Sequence, residues 1–523
     1  MLLIASGLMT GCTGSSGAAY TLNLTPVVAA LQTPFDGLDR IDLVLTPADG
    51  TPLRVPMDAP TSGASSAVSG LPALTDTRIS VEGFEDGELI LRGMTEPLTA
   101  SDGVVDADVF IASTEKTAWL GSLASGLYLP MLVALGEGRF WLAGGLTNDL
   151  NDAPVKGQKA MYILTLAPPG EGLAFTSVGD LPEYETNDGA VETARIGAGF
   201  TPLTVSGPDQ GKVLVTGGAP RDPLGGGGEA SRGVSLYDPT ADTWEDIPAL
   251  ASLQEPRAQH LASENRLGNV VIWGGYGAQS GRGSVLLNNT VEYYDSASRT
   301  FSEVGVSTIG PLDAMMADLG EDGTLLCGGA DLGDGTWASS ATCDRVKLDG
   351  SGIESFPDLP AGLAGAAMVA LADGSILATG GASVSYDAPV STSATVSASA
   401  SAWLYNPSTE RWGDLSASMV VGRAGHKMVL LADGRVLIAG GAKSFNSNEP
   451  TTDSVSCLEL YNPVGGTFES VDGCQDGEDA GGLSGGAYSP QVVYDPDYGA
   501  LIVGGVAADG SAHSGVALFV PEL

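Results

Sequence analysis

Histidine and arginine side chains are the residues of this sequence that could bind a metal or an anion. The 523-residue chain has three histidines, and two stand in one short pattern, Arg257-Ala258-Gln259-His260 and Arg423-Ala424-Gly425-His426. An arginine side chain could bind an anion. A pattern that recurs within one chain instead favours a structural role, in which the arginine makes hydrogen bonds that hold the fold. The third histidine, His513, lies far along the chain from both. We therefore expect no catalytic residue and no metal site.

The carboxylates are too numerous for the sequence to single out a catalytic pair. Asp and Glu number 63 against 23 Lys and Arg, which gives a formal net charge of −40. Such a charge repels nucleic acids and anionic lipid headgroups, so we expect no nucleic-acid partner. The oxygen-rich runs at 331–335 and 472–479 do not match an EF-hand loop. We expect no cofactor, with calcium the one ion that these acidic runs leave open.

The cysteines indicate an exported protein. A short apolar run ends in Met9-Thr10-Gly11-Cys12, which resembles the bacterial lipobox. The resemblance implies a signal at residues 1–12, acylation of Cys12 and an outer-membrane or surface lipoprotein of the bacterial cell envelope. The Gly- and Ser-rich residues that follow predict a flexible tether at 13–19. The alternative is a conventional signal with an incidental cysteine. The other four cysteines fall into two pairs by spacing, Cys327 with Cys343 and Cys457 with Cys474. Two disulfides are predicted, with four buried free thiols as the alternative.

An internal repeat supplies the elements that must position these residues. Each repeat has a strand, a tight turn, a second apolar strand ending in Gly-Gly, a variable loop and a third strand that in most repeats ends in Tyr. In four repeats a Trp or Phe follows that Tyr at one fixed spacing and marks a fourth strand, so each repeat is predicted to be a four-stranded antiparallel sheet. The glycine pairs are Gly144-Gly145, Gly217-Gly218, Gly274-Gly275, Gly328-Gly329, Gly380-Gly381, Gly440-Gly441 and Gly504-Gly505.

Repeats of this kind resemble kelch repeats, as in the propeller domain of the galactose oxidase family. The Gly-Gly pairs, the Tyr with its Trp or Phe, and Arg-x-x-His carry the resemblance, which covers residues 113–523. It implies an all-β, seven-bladed kelch-type β-propeller. Residues 116–123 resemble an orphan fourth strand and are predicted to complete the last blade. The galactose oxidase family binds copper through His and Tyr ligands, and three dispersed histidines argue against copper here.

Residues 20–112 lack the repeat. They hold short runs of β-type sequence, several of which alternate apolar and polar residues. Such runs predict a small β-sandwich domain. We expect this domain to space the propeller from the membrane.

The loops between second and third strands are the long ones, and they lie on one face of the predicted propeller. Long loops on a rigid scaffold are where recognition is usually found. We therefore predict a non-catalytic binding module for a protein or glycan, held at the membrane only by its lipid anchor. The alternative is a carbohydrate-active propeller enzyme of the epimerase, lyase or glycosidase type. The candidate binding residues on these loops are Arg221, Tyr276, Arg282, Trp337, Tyr386 and Phe445.

Overall fold

The computed structural model divides into an N-terminal unit that ends at Ile111 and a C-terminal unit that runs from Ala112 to Leu523. Among the described residues, no helix is long and apolar enough to cross a membrane. The signal, the tether and Cys12 lie outside the described residues. The structure describes residues 20–28, 37–48, 50–57, 66–71, 74–95, 98–100, 104–147, 157–166, 173–186, 189–220, 229–246, 252–277, 287–333, 336–383, 395–446, 453–471, 483 and 486–522.

The N-terminal unit is one eight-stranded sheet. The strand order is β3-β2-β5-β6-β8-β1-β4, with β7 also paired to β5, and β1 and β8 run parallel. Along β5 the alternation of residues buries Ile79 and Val81 on the core face. The predicted sandwich is not confirmed, because the described strands hydrogen-bond into a single sheet. The strands are β1 (Tyr20–Val28), β2 (Arg40–Pro47), β3 (Leu53–Met57), β4 (Ser66–Leu71), β5 (Leu74–Glu85), β6 (Glu88–Met94), β7 (Leu98–Ala100) and β8 (Val104–Ser113).

The C-terminal unit is all-β, and its sheets are those of a β-propeller. Among the described residues, seven sheets each contain four antiparallel strands in up-and-down order. The sheets are β10 (Met131–Gly136), β11 (Arg139–Ala143), β12 (Ala160–Leu166), β13 (Leu173–Asp180); β16 (Gly199–Pro202), β17 (Val213–Thr216), β18 (Val234–Asp238), β19 (Thr243–Asp246); β20 (Leu261–Glu264), β21 (Val270–Trp273), β22 (Thr290–Asp295), β23 (Thr300–Val306); β24 (Leu312–Asp318), β25 (Thr324–Gly333), β27 (Cys343–Val346), β28 (Ile353–Phe356); β29 (Ala364–Ala370), β30 (Ile376–Ala382), β32 (Ala402–Asn406), β33 (Arg411–Asp414); β34 (Lys427–Leu430), β35 (Val436–Ala439), β37 (Glu459–Asn462), β38 (Thr467–Ser470); and β39 (Gln491–Asp495), β40 (Gly499–Val503), β41 (Gly515–Phe519), β9 (Thr117–Ser122).

Five short strands lie outside these four-stranded sets. Strands β14 and β15 form a two-stranded ribbon, β31 pairs with β36, and β26 adds to the edge of β25. Their bounds are β14 (Tyr184–Glu185), β15 (Val191–Glu192), β26 (Thr336–Ser339), β31 (Thr395–Ser397) and β36 (Ser444–Asn446).

The first strands of the seven sheets contact one another in a closed cycle. The order is β10, β16, β20, β24, β29, β34, β39 and back to β10. Strand β9, which precedes the first sheet in sequence, pairs with β41 and is the fourth strand of the last sheet. Glu115, just before β9, accepts hydrogen bonds from Arg435 (Nη1, 2.8 Å) and from the backbone N–H of Glu522 (2.6 Å). The two ends of the unit are therefore held to each other and to the sixth sheet.

The Gly-Gly pairs are required by close backbone approach between adjacent sheets. Both glycines of every pair have positive φ. The N–H of Gly441 donates to the carbonyl of Ala487 at 2.8 Å, and a Cβ on Gly440 would lie 2.4 Å from that oxygen. A side chain at these positions would be strained and would push the next sheet away.

The fixed Tyr-to-aromatic spacing produces cross-strand ring pairs between third and fourth strands. The ring centroids of Tyr237 and Trp244 lie 5.0 Å apart, and those of Tyr461 and Phe468 lie 4.9 Å apart. Such pairs stabilise neighbouring strands beyond their buried area. The disulfide between Cys327 and Cys343 is confirmed and joins β25 to β27. Cys457 is also disulfide-bonded, and Cys474 lies outside the described residues.

Candidate functional site

The two arginines of the Arg-x-x-His pattern are fixed in buried ion pairs. Arg257 Nη2 donates to Glu292 Oε1 at 2.7 Å, and both side chains are 0% exposed. Arg257 also donates to the carbonyls of Gly274 and Thr290. The Glu292 carboxylate accepts two backbone N–H groups as well, so each charge has a partner of opposite charge and further hydrogen bonds. This arginine holds the scaffold and does not bind an outside anion.

The sixth sheet repeats this arrangement. Arg423 pairs with Glu459 and donates to the carbonyls of Gly440 and Cys457. Glu459 accepts the backbone N–H groups of Val420 and Val421. The structural interpretation of both arginines is therefore correct.

The histidines are buried hydrogen-bonding residues. His260 Nε2 lies 2.9 Å from Thr216 Oγ1, and His426 Nε2 lies 2.8 Å from Thr379 Oγ1. Burial lowers the pKa of both imidazoles well below the usual value, so both are neutral at pH 7. His513 Nδ1 accepts the N–H of Gly515. In the described part of the chain, no three His, Cys, Asp or Glu side chains are grouped as metal ligands.

A ring of left-handed residues lies where the first strands of the seven sheets begin. Each sheet contributes one residue with φ between 51° and 69°. Backbone hydrogen bonds link neighbours in this ring, including Gln259 N to Gly197 O at 2.6 Å and Ser489 N to Gly425 O at 2.9 Å. At Gly425 a Cβ would lie 2.2 Å from the ring of Tyr488, so only glycine fits. The seven residues are Leu129, Gly197, Gln259, Asp313, Gly365, Gly425 and Ser489.

These residues surround one cavity, here called the central pocket. Its volume is about 340 Å³, and all seven first-strand segments contribute to its lining. The wall is polar: it includes the phenols of Tyr128 and Tyr488, the amide of Gln259, and two charged residues, Asp313 and Lys427. Rigid strands on every side position these groups, so the pocket is preformed.

Asp313 and Lys427 face the same pocket without meeting. Neither side chain makes a hydrogen bond or an ion pair within 4.0 Å to any residue that the structure describes. Burial raises the pKa of the Asp313 carboxyl and lowers that of the Lys427 ammonium, and the attraction between the two groups offsets only part of each change. Burial also raises the pKa of the Tyr488 phenol. Asp313 is exposed at the pocket and Lys427 is half-buried, so the pocket presents one carboxyl and one amino group without a partner among the described residues.

The structure changes the set of candidate binding residues. Tyr276 is fully buried, bridging Ala258 and Leu287 directly after a Gly-Gly pair, so it cannot be a surface contact. Trp337 lies in β26, and Phe445 lies in β36. Arg221, Arg282 and Tyr386 lie outside the described residues.

Asp313 and Lys427 were missed by the sequence analysis, although a signal was present. Lys427 directly follows Arg423–His426, and Asp313 occupies the ring position that is Gly197, Gly365 or Gly425 in other repeats. The signal is the charged residue at a position that is glycine in three other repeats.

No family model and no curated protein matches this sequence. Solved structures with similar folds include the one titled "Structure of YjhT", at 14% identity and a TM-score of 0.44, covering 67% of this chain and 99% of that chain. Another is a fungal alcohol oxidase of the AA5 family in complex with copper, at 15% identity and a TM-score of 0.49, covering 77% of this chain and 76% of that chain. Neither similarity carries an inference about ligand, metal or activity.

Proposed function

We propose that this protein is a non-catalytic binding module: a seven-bladed kelch-type β-propeller that binds a protein or glycan and admits part of that ligand to the central pocket. The observation that carries the proposal is the central pocket itself, a preformed polar cavity with two ionisable groups, Asp313 and Lys427, that no other described side chain contacts by a hydrogen bond or ion pair. Preformed concave sites with a few convergent polar groups are typical of ligand binding.

The kelch assignment is supported by the features that the repeats share. Seven Gly-Gly pairs with positive φ, cross-strand aromatic pairs and the closed cycle of seven first strands favour this assignment. Pairing of β9 with β41 would close the ring and leave no exposed sheet edge there.

The second-to-third connections begin beside the central pocket, which supports binding on that face. Tyr128, before the first sheet, bridges to Leu146, directly after a Gly-Gly pair, and Tyr488 bridges to Val506 in the same way. A ligand that enters the pocket would therefore also contact the starts of the long loops.

Hydrolysis of a glycoside is less well supported than binding. Most glycosidases place two carboxylates about 5–9.5 Å apart. Asp313 is the only carboxylate among the described residues that line the pocket. An epimerase or lyase is the second candidate, and it is favoured by Lys427, because a half-buried lysine with a lowered pKa is suited to proton transfer. Analysis of the bound ligand for a new product after incubation separates the two functions.

The cell-envelope location is part of the same proposal. It rests on the lipobox-like residues that end at Cys12 and on the disulfide between Cys327 and Cys343, which suits an oxidising compartment. Metabolic labelling with a palmitate analogue in a bacterial host should mark the wild-type protein and not Cys12→Ser. Equal labelling of the two proteins would contradict the anchor.

A substitution that blocks the central pocket tests whether ligands bind there. Gln259→Trp should fill the pocket and abolish binding on glycan arrays and crosslinking to envelope proteins. The matched control is Glu410→Trp: Glu410 is exposed in the turn between β32 and β33, and its φ of 52° matches the 51° of Gln259. If Gln259→Trp binds every ligand as well as Glu410→Trp does, the central pocket is not the binding site.

A further inference from the structure

The free charges of the central pocket define the chemistry of the group that it admits. Asp313 is the only described acidic residue in the lining and Lys427 is the only described lysine or arginine, since the two lining histidines, His260 and His426, are neutral. No nitrogen–oxygen contact within 4.0 Å joins them. Their separation leaves a space between a negative and a positive group.

Asp313 is exposed and Lys427 is half-buried, so a ligand in the pocket can reach both side chains. Desolvation by the pocket walls shifts the pKa of each group toward its neutral form, and a ligand charge beside each group would offset that shift. The two scaffold arginines of the same unit are instead paired with glutamates. A charged pair that stays apart in a rigid cavity is suited to a ligand that lies between its members.

The net charge of the protein further limits the charge of the ligands that can enter the pocket. At −40, the molecule repels a simple anion and attracts cations over most of its surface. A group that carries both charges is neutral overall, so the surrounding field does not oppose its entry.

We propose that the central pocket binds a compact zwitterionic group, with an ammonium on the Asp313 carboxylate and an anionic oxygen on Lys427 Nζ. The amides of Gln259 and Gln491, the hydroxyl of Ser489 and the two phenols supply neutral hydrogen-bonding groups around it. The inference rests on the proposed function, because it names the part of the ligand that enters the pocket. A free amino acid and a glycan bearing amino and acid groups share this chemistry.

The test uses free probes whose charges are set at increasing distances. Titration calorimetry of the full chain would compare glycine, β-alanine, 4-aminobutanoate and 6-aminohexanoate with acetate and methylammonium. One of the four zwitterions should bind at least about tenfold more tightly than acetate or methylammonium, since a hydrogen bond to a charged group contributes this much. Equal binding of acetate, equal binding of methylammonium, or no binding of any zwitterion overturns the inference.

Two variants locate the binding. Asp313→Asn and Lys427→Gln should each weaken the best zwitterion about 10- to 100-fold. Asparagine tolerates the left-handed φ of 51° at position 313. The matched controls are Asp86→Asn, at an exposed turn residue with φ of 52°, and Lys159→Gln, at an exposed lysine of the first sheet. Loss of binding in the controls as well would show that general charge and not the pocket is responsible.

Comparison with the blocked pocket separates the two proposals. If no zwitterion binds but Gln259→Trp still abolishes capture of a glycan or protein, the function stands and the zwitterion inference fails. If a zwitterion binds and displaces an arrayed glycan, the glycan carries the group; if it binds and no glycan does, a free solute is the ligand. If Gln259→Trp alters neither probe binding nor capture, both proposals fail.

Discussion

Two cationic residues of the sixth repeat, Arg423 and Lys427, lie close in sequence but differ in their partners. Arg423 is buried against Glu459 and two backbone carbonyls. Lys427, four residues later, projects into the central pocket with no hydrogen-bonded or ionic partner among the described residues. Within five residues at the start of β34, the chain therefore has one cation, Arg423, with ionic and hydrogen-bonded partners and another, Lys427, with none among the described residues.

The difference separates charges that hold the fold from charges that are available to a ligand. A buried pair with all of its hydrogen bonds made costs little to keep, but removal of one partner leaves an uncompensated charge. A free charge in a preformed pocket contributes little to stability and is available for binding. Substitution of a scaffold charge should therefore lower stability, whereas substitution of a pocket charge should weaken ligand binding and leave stability almost unchanged.

The largest effect is expected from the scaffold pair. Arg423→Met should lower the free energy of unfolding of the C-terminal unit by about 3–5 kcal/mol, because Glu459 is left buried and unpaired. Lys427→Met should change it by less than about 1 kcal/mol. Denaturant unfolding followed by tryptophan fluorescence measures this directly, since all 7 Trp residues lie in this unit. Equal losses of unfolding free energy in Arg423→Met and Lys427→Met would show that the two charges do not differ in their role in the fold.

The disulfide between Cys327 and Cys343 should also stabilise the fold without taking part in binding. The double substitution Cys327→Ala and Cys343→Ala should lower the free energy of unfolding by about 3 kcal/mol, because the bridge closes a loop with a sequence separation of 16. Ligand binding at the central pocket should stay unchanged in the folded protein. A loss of binding with no loss of stability would show that the disulfide holds the shape of the central pocket and not only the fold of this sheet.

Much of the fold could be predicted because its signals are local. Gly440-Gly441 marks a backbone approach, Tyr461 and Phe468 mark two paired strands, and Cys327 and Cys343 lie on neighbouring strands of one repeat. Each of these depends on residues close in sequence. The β-propeller fold therefore follows from periodicity.

The site could not be predicted in the same way because it depends on distant residues. Asp313 and Lys427 belong to the fourth and sixth sheets, and only the closed cycle of first strands brings them to one pocket. Tyr276 was expected to be exposed after its Gly-Gly pair, but the chain turns inward there and pairs with Ala258. Loop length alone did not show which residues of a loop face solvent.

A smaller effect is expected from the pH dependence of stability. Burial raises the carboxyl pKa of Asp313 above 3.8, so between 3.8 and the raised value the folded state binds more protons than the unfolded state. The contribution of this residue to the free energy of unfolding therefore falls as pH rises through that range. Lys427 and Tyr488 are the titratable groups that interact with it.

Asp313→Asn removes this loss. The variant should gain stability relative to wild type as pH rises from 3.8 to 7, and the pH-dependent part of the difference should vanish below 3.8. Paired unfolding curves of the two proteins at several pH values measure the difference. A difference that stays constant with pH would show that the carboxyl is not shifted by its place in the pocket.

Site-specific crosslinking tests directly whether a ligand enters the central pocket. Gln491 lines the central pocket, whereas Thr409 is exposed in the turn between β32 and β33. Each would be replaced with p-benzoylphenylalanine, and the proteins would be irradiated in intact bacterial envelopes. We expect a discrete ligand adduct from position 491 that Gln259→Trp abolishes, and none from position 409. Identical adducts from both positions, or none from position 491, would contradict it.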